Sequence, residues 1–245
     1  MDHTNSICQI LRHLSHFLTP TELDNLAKTN KQINSSLKYG KPYIQQNMIV
    51  TDDDFSQAIK SNNFNLVEMY LTNKNLTNKK TITFGFFHAC KHGHIDTVKL
   101  LLDDSRVNPS GGDNYAIRKA SENGRIDIVK LLLVDPQVDP SADRNYPIRR
   151  ASANGHVEIV KLLLTDSRVD PSVCKNEAIR RASENGRIEI VKLLLADFRV
   201  DPSEWNNYAI DRASWRGHND VVKLLLKDPK VTVHDVLEYE YKLFY

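Results

Sequence analysis

Six alanines, Ala58, Ala89, Ala120, Ala151, Ala182 and Ala213, stand at equal steps of 31 residues. The wording between them recurs as well. Asn114 opens NYAIRKASENGRIDIVKLLLVDPQVDPS, Asn145 opens NYPIRRASANGHVEIVKLLLTDSRVDPS, and Asn176 opens NEAIRRASENGRIEIVKLLLADFRVDPS. Asn207 opens a looser copy. Five equal steps define six repeats. A fixed period of about 20–50 residues signals short supersecondary units that cannot bury their apolar faces alone and do so by stacking on their neighbours.

Each repeat reads as two helices. In AIRKASEN, Ala116 and Ala120 share a face at i,i+4 spacing with Ile117 beside them, and small alanines let neighbouring helices approach closely. Asn114, Asn145, Asn176 and Asn207 precede this helix in the position of an N-cap. Pro147, tolerated only in a first turn, marks the helix start in one copy. Gly93, Gly124, Gly155, Gly186 and Gly217 end it, because a left-handed residue is needed past a helix C-terminus. The first repeat carries Asn62 there, and asparagine is the common substitute at positive φ. The second helix, IDIVKLLL in the third repeat, is apolar except for an acid–lysine pair at i,i+3. That pair recurs as Asp96/Lys99, Asp127/Lys130, Glu158/Lys161, Glu189/Lys192 and Asp220/Lys223 and reads as a solvated stripe. The D-P-S tripeptides that follow (Asp139–Ser141, Asp170–Ser172, Asp201–Ser203) predict a projecting turn or short hairpin, since the residue before proline is pushed to extended geometry.

Helix, glycine turn, a GHIDTVKLLL or GHVEIVKLLL helix (Gly93–Leu102, Gly155–Leu164) and a finger together resemble the ankyrin repeat over residues 52 to 233. The resemblance implies an all-α solenoid of six helix-turn-helix repeats. It also implies a protein partner held by the fingers and first helices on a concave face. Two departures stand out. The period is 31 residues against about 33 in the family, so trimmed fingers are expected. The family's TPLH is replaced by YAIR, YPIR, EAIR and YAID, which puts its Thr–His hydrogen bonding in doubt and offers Arg118, Arg149 and Arg180 for the histidine's place. The D-x-R-V-D-P-S wording resembles that of ankyrin proteins of large DNA viruses and protists.

The ends differ from the middle. Residues 1–50 do not repeat, and Ile7 to Leu37 reads as short amphipathic helices broken near Thr19-Pro20. With Ile10, Leu11, Leu14, Leu18, Leu23 and Leu26 as its apolar set, this segment resembles an F-box, which implies docking to the adaptor subunit of an SCF-type ubiquitin ligase. The usual Leu-Pro near the start is missing, and Ile33 sits where a tryptophan is common. A helical cap over the first repeat is the alternative. Residues 234–245, with EYEYKLFY at their end, read as a C-terminal capping helix.

Chemistry is sparse. No G-x-x-x-x-G-K-[ST], G-x-S-x-G or H-E-x-x-H occurs, so no enzyme is expected. Cys8, Cys90 and Cys174 form no C-x-x-C pair. HACKHGH, with His88, Cys90, His92 and His94, is the one metal-like spot, and a helix with a turn break would not converge those side chains. No cofactor or metal is expected. A basic ladder runs through Arg118, Arg149 and Arg180 and through Lys119, Arg150, Arg181 and Arg212. Between Asp113 and Arg216, however, 17 Lys and Arg face 16 Asp and Glu, so pairing across repeats is expected and nucleic acid is not. The polar start MDHTNS and the lack of a long apolar run point to neither a secretory leader nor a membrane span. The expectation is an intracellular, cytoplasmic monomer. The candidate partner contacts lie where the copies differ: Trp205, Tyr208 and Trp215 in the last repeat, with Tyr115, Tyr146 and Arg144 before them.

Overall fold

The computed structural model describes residues 51–72 and 78–231. The F-box-like segment with Ile10, Leu11, Leu14, Leu18, Leu23 and Leu26, and the tail from residue 234, lie outside the described residues. Twelve α-helices and no strand occur among those described. They come in six pairs: α1 (Asp52–Lys60) with α2 (Phe64–Leu71), α3 (Lys79–His92) with α4 (Ile95–Leu102), and α5 (Gly111–Glu122) with α6 (Ile126–Leu133). The others are α7 (Ala142–Asn154) with α8 (Val157–Leu164), α9 (Val173–Glu184) with α10 (Ile188–Leu195), and α11 (Glu204–Trp215) with α12 (Asn219–Leu225).

The chain divides into two compact bodies, Met1–Ala89 with His94–Asn108, and Cys90–Gly93 with Pro109–Tyr245. In the first body a capping box opens α1. Thr51 Oγ1 accepts from the Asp54 N–H (3.2 Å) while the Thr51 N–H donates to the Asp54 carboxylate (3.1 Å). Gly85 lets α3 approach α1, since a Cβ there would lie 2.9 Å from the Phe55 ring. Asn62 takes the positive φ (54°) expected of it.

In the second body the first helices α5, α7, α9 and α11 pack side by side in one layer, and α6, α8, α10 and α12 form the other. The core between them is built from one set of letters per repeat. Ala116, Ile117, Ala120, Ile128, Val129 and Leu132 are fully or almost fully buried, and so are their counterparts in the next two repeats. Each buried leucine or isoleucine contributes about 1.5–3 kcal/mol relative to an exposed one. The acid–lysine pairs lie on the exposed side of the second helices, at 2.8 Å for Lys161–Glu158 and 2.7 Å for Lys192–Glu189, but at about 4 Å where the acid is the shorter aspartate.

The turn glycines serve two purposes. Gly124 has φ +73°, and a Cβ on it would lie 2.7 Å from the His156 ring of the next repeat. Gly186 stands in the same relation to His218. Those histidines reach back across the turn: Nε2 of His156 lies 3.0 Å from the Glu122 carbonyl, and Nε2 of His218 lies 3.1 Å from that of Glu184. Arg125 makes the equivalent reach to the Lys91 carbonyl (3.1 Å).

The segment after D-P-S is not a hairpin. Three successive residues adopt left-handed backbone in each of four repeats: Gly112–Asn114, Asp143–Asn145, Cys174–Asn176 and Trp205–Asn207, with φ between 52° and 62°. Each forms one left-handed turn closed by a backbone bond, as from the Asn145 N–H to the Ser141 carbonyl (2.7 Å). Such geometry costs roughly 1–2 kcal/mol per non-glycine residue. The asparagines therefore do not act as ordinary N-caps, which need extended backbone. Their side chains turn to the next repeat instead. Oδ1 of Asn114, Asn145 and Asn176 accepts from the N–H of Asp139, Asp170 and Asp201, at 2.8–2.9 Å. The D-P-S aspartates in turn cap their own serines, as in Asp139 Oδ1 with the Ser141 N–H and hydroxyl (2.8 and 2.7 Å).

Candidate functional site

What holds three of the four left-handed turns is the first arginine column; the fourth, Trp205–Asn207, has Asp211 in the arginine's place. Arg118 Nε donates to the Asp113 carbonyl (2.9 Å) and Nη2 to that of Gly112 (3.1 Å). Arg149 does the same to Arg144 and Asp143 (2.9 and 3.0 Å), and Arg180 to Lys175 and Cys174 (2.7 and 3.1 Å). The arginines that sequence reasoning offered for the family histidine's place each brace the turn of their own repeat. The third nitrogen faces the next repeat. Arg118 Nη1 donates to Asp143 Oδ2 (3.0 Å), and Arg149 Nη1 pairs with Glu177.

The second column ties neighbouring first helices together. Lys119 Nζ donates to Glu122 (2.7 Å), and the Tyr146 hydroxyl of the next repeat donates to the same carboxylate (3.1 Å). Burial pushes the Glu122 carboxyl up, but the hydrogen bond and charge of Lys119 outweigh it and hold the group below its ordinary value. Glu177 behaves alike: burial raises it, and Arg149, with Arg181 and Arg150, brings it down further. Arg181 Nη1 donates to Glu184 (3.0 Å).

The sequence-predicted contacts fall into two groups. Trp205 and Tyr208 are stacked, with ring centroids 5.0 Å apart and planes 27° from parallel. Arg212 joins Tyr208 (4.8 Å) to Trp215 (5.8 Å), and Arg216 lies over Trp215 (5.1 Å). Tyr115 and Tyr146 form the second group, bridged by Arg118 (5.8 and 5.4 Å) and Lys119 (5.7 and 5.6 Å). Both tyrosines are half-buried, and Tyr146 is a tie between repeats as well as a surface residue. Arg144 is exposed on its turn, at φ 53°. Sequence reasoning placed Arg180 in the basic ladder rather than among the partner contacts, and it did not single out Lys175. Arg180 lies 4.4 Å from the Trp205 ring and 5.1 Å from that of Tyr208, and Lys175 lies 5.7 Å from Trp205. Burial draws the Arg180 guanidinium below its ordinary pKa.

The metal-like spot does not assemble. No group of three metal-ligating side chains occurs among the described residues. Cys90 is fully buried, and burial pushes its thiol far above the ordinary range, which disfavours the thiolate that a metal would need. No helix among the described residues is long and apolar enough to cross a membrane.

An ankyrin-repeat family model, described as three copies of the repeat, matches residues 55–144 and again 148–235. The chain belongs to the ankyrin-repeat family. No curated protein matches it in sequence. Ankyrin arrays are protein–protein interaction modules, and the two-layer packing above is how one is built.

Proposed function

We propose that this array seats a partner protein on the first helices and left-handed turns of its second body. The observation that supports this most is where the copies differ. The core letters are fixed, whereas Trp205 and Trp215 stand 53% and 70% exposed among arginines, on the layer that carries the turns. Exposed aromatics beside arginine are the residues that most often anchor an interface. Full-length chain used as bait for proximity labelling tests the reading. Proteins labelled by the wild type should be lost with W205A/W215A and kept with K161A, a change on the opposite layer. Equal labelling by both variants would sink it.

The F-box-like reading of residues 7–37 extends the proposal to a substrate adaptor. It is supported by the spacing of Ile10, Leu11, Leu14, Leu18, Leu23 and Leu26. The mechanism would be proximity: a ligase docked at one end and a target on the array raise each other's effective concentration. Full-length protein should retain a ubiquitin-ligase adaptor subunit, and L11D/L14D should release it while target labelling persists. If the wild type retains none, the array is a scaffold or inhibitor without a ligase.

A further inference from the structure

Aligned by the repeat step, two slots in each repeat correspond to the arginine of the repeat before, 25 and 28 residues on. For Arg118 they hold Asp143 and Tyr146; for Arg149, Cys174 and Glu177; for Arg180, Trp205 and Tyr208. The first two junctions each supply one carboxylate, and in both it bonds the Nη1 nitrogen. The third supplies none. Arg180 is only 8% exposed, yet no carboxylate lies within ion-pairing distance of it among the described residues. Its Nε and Nη2 are used on turn carbonyls, and no hydrogen bond among the described residues uses its Nη1. A buried cation is costly unless paired, and here two aromatic faces, two carbonyls and the more distant charge of Glu177 stand in for a directly bonded acid.

The ring against this guanidinium is itself unusual. Trp205 occupies the slot of Asp143 with left-handed backbone (φ 61°, ψ 45°), where a bulky side chain is an outlier and aspartate is tolerated. It pays for that geometry with half its surface still in water. Nearby, the Arg212 Nε is buried without a hydrogen-bond partner. Two carboxylates of the same layer are engaged elsewhere, Glu177 by Arg149 and Glu184 by Arg181 and Arg216.

We infer that the junction of α9 and α11 is a receptor for an acidic protein segment, one Asp or Glu of which moves the Trp205 ring aside and pairs with Arg180 Nη1. This rests on the first-helix layer being the binding face. The near-balance of charge along the repeats, 17 basic against 16 acidic residues between Asp113 and Arg216, selects a single carboxylate set among apolar side chains over a polyphosphate, which needs many cations at once. The apolar neighbours of that acid would lie on Trp205, Tyr208 and Trp215.

The two tryptophans of the chain both belong to this patch, so tryptophan emission reports on it alone. A phage-displayed library of random peptides, selected on full-length protein, should enrich one fixed Asp or Glu flanked by apolar residues. The synthetic winners should shift the emission, and replacing their acid by its amide should weaken binding about tenfold or more. Selection on R180Q should lose the acidic preference, and the amide peptide keeps the test intact if that variant does not fold. Winners that shift the emission but carry no acid, or whose amide binds equally well, overturn the receptor while leaving the face. Winners that bind without shifting the emission overturn the face itself. A single-stranded oligonucleotide that shifts the emission at lower concentration than any winner overturns the peptide in favour of phosphate.

Discussion

The junction of α7 with α9 and that of α9 with α11 are written in one frame and close differently. Both use a left-handed turn braced by an arginine, an asparagine bonded to the next D-P-S aspartate, and a turn glycine against the following repeat. At the first the arginine finds Glu177; at the second it finds Trp205 and Tyr208. The frame is what stacking requires. The two slot residues are what the frame lets vary, and there a surface for a partner can be written without disturbing the core.

The frame should break equally at either end of the second body. G124A and G186A each force a side chain into left-handed backbone and into a histidine ring 2.7 Å away. Each should lose about 2–3 kcal/mol in urea unfolding. Losses differing by more than about 1 kcal/mol would mean that the junction of α5 with α7 and that of α9 with α11 do not share a frame. The slots should separate the junctions. A double-mutant cycle on Arg149 and Glu177 should give a coupling of about 1–2 kcal/mol, and one on Arg180 and Trp205 about 0.5–1 kcal/mol. Similar values at both would erase the distinction. N176G keeps the positive φ and removes the side chain whose oxygen accepts from the Asp201 N–H. It should cost about 1 kcal/mol, with hydrogen exchange at Asp201 faster than at Asp170.

The smallest effect is that of acid. The carboxyls of Asp166 and Asp197 lie below their ordinary values because Arg168 and Arg199 hydrogen-bond to them, and Glu122 and Glu177 lie below theirs because their basic partners outweigh burial. Their contribution is complete above the unfolded carboxylate range of roughly pH 4 and is lost as pH falls through the lower folded values. The unfolding midpoint should therefore drop on acidification below about pH 4, and E177Q should make that drop shallower.

Much of this frame was legible in the letters. Equal steps gave the six pairs, and the glycines, with Asn62 in their place, marked left-handed positions that the backbone adopts. The left-handed turns were not legible. Asp-Arg-Asn, Cys-Lys-Asn and Trp-Asn-Asn share a tolerance for positive φ only at the last residue, so local preference could not announce three such residues in a row. The arginine column braces the first two, by bonds to carbonyls five and six residues back, and Trp-Asn-Asn adopts the same turn with Asp211 in the arginine's place. Trp205, Tyr208 and Trp215 were singled out because they lie where the copies differ. The lone Arg180 beneath them could have been found by writing residues 143, 174 and 205 in one column and 146, 177 and 208 in another, where the acid runs out.

Putting that acid back is the most direct test. W205D gives the last junction the aspartate that Asp143 provides to Arg118, on backbone that suits aspartate better than tryptophan. Its unfolding midpoint and its affinity for an acidic peptide selected on the wild type should be measured on one preparation. The midpoint should hold or rise while the affinity falls about tenfold or more. A midpoint several degrees lower with unchanged affinity would make Trp205 a packing residue and contradict the account.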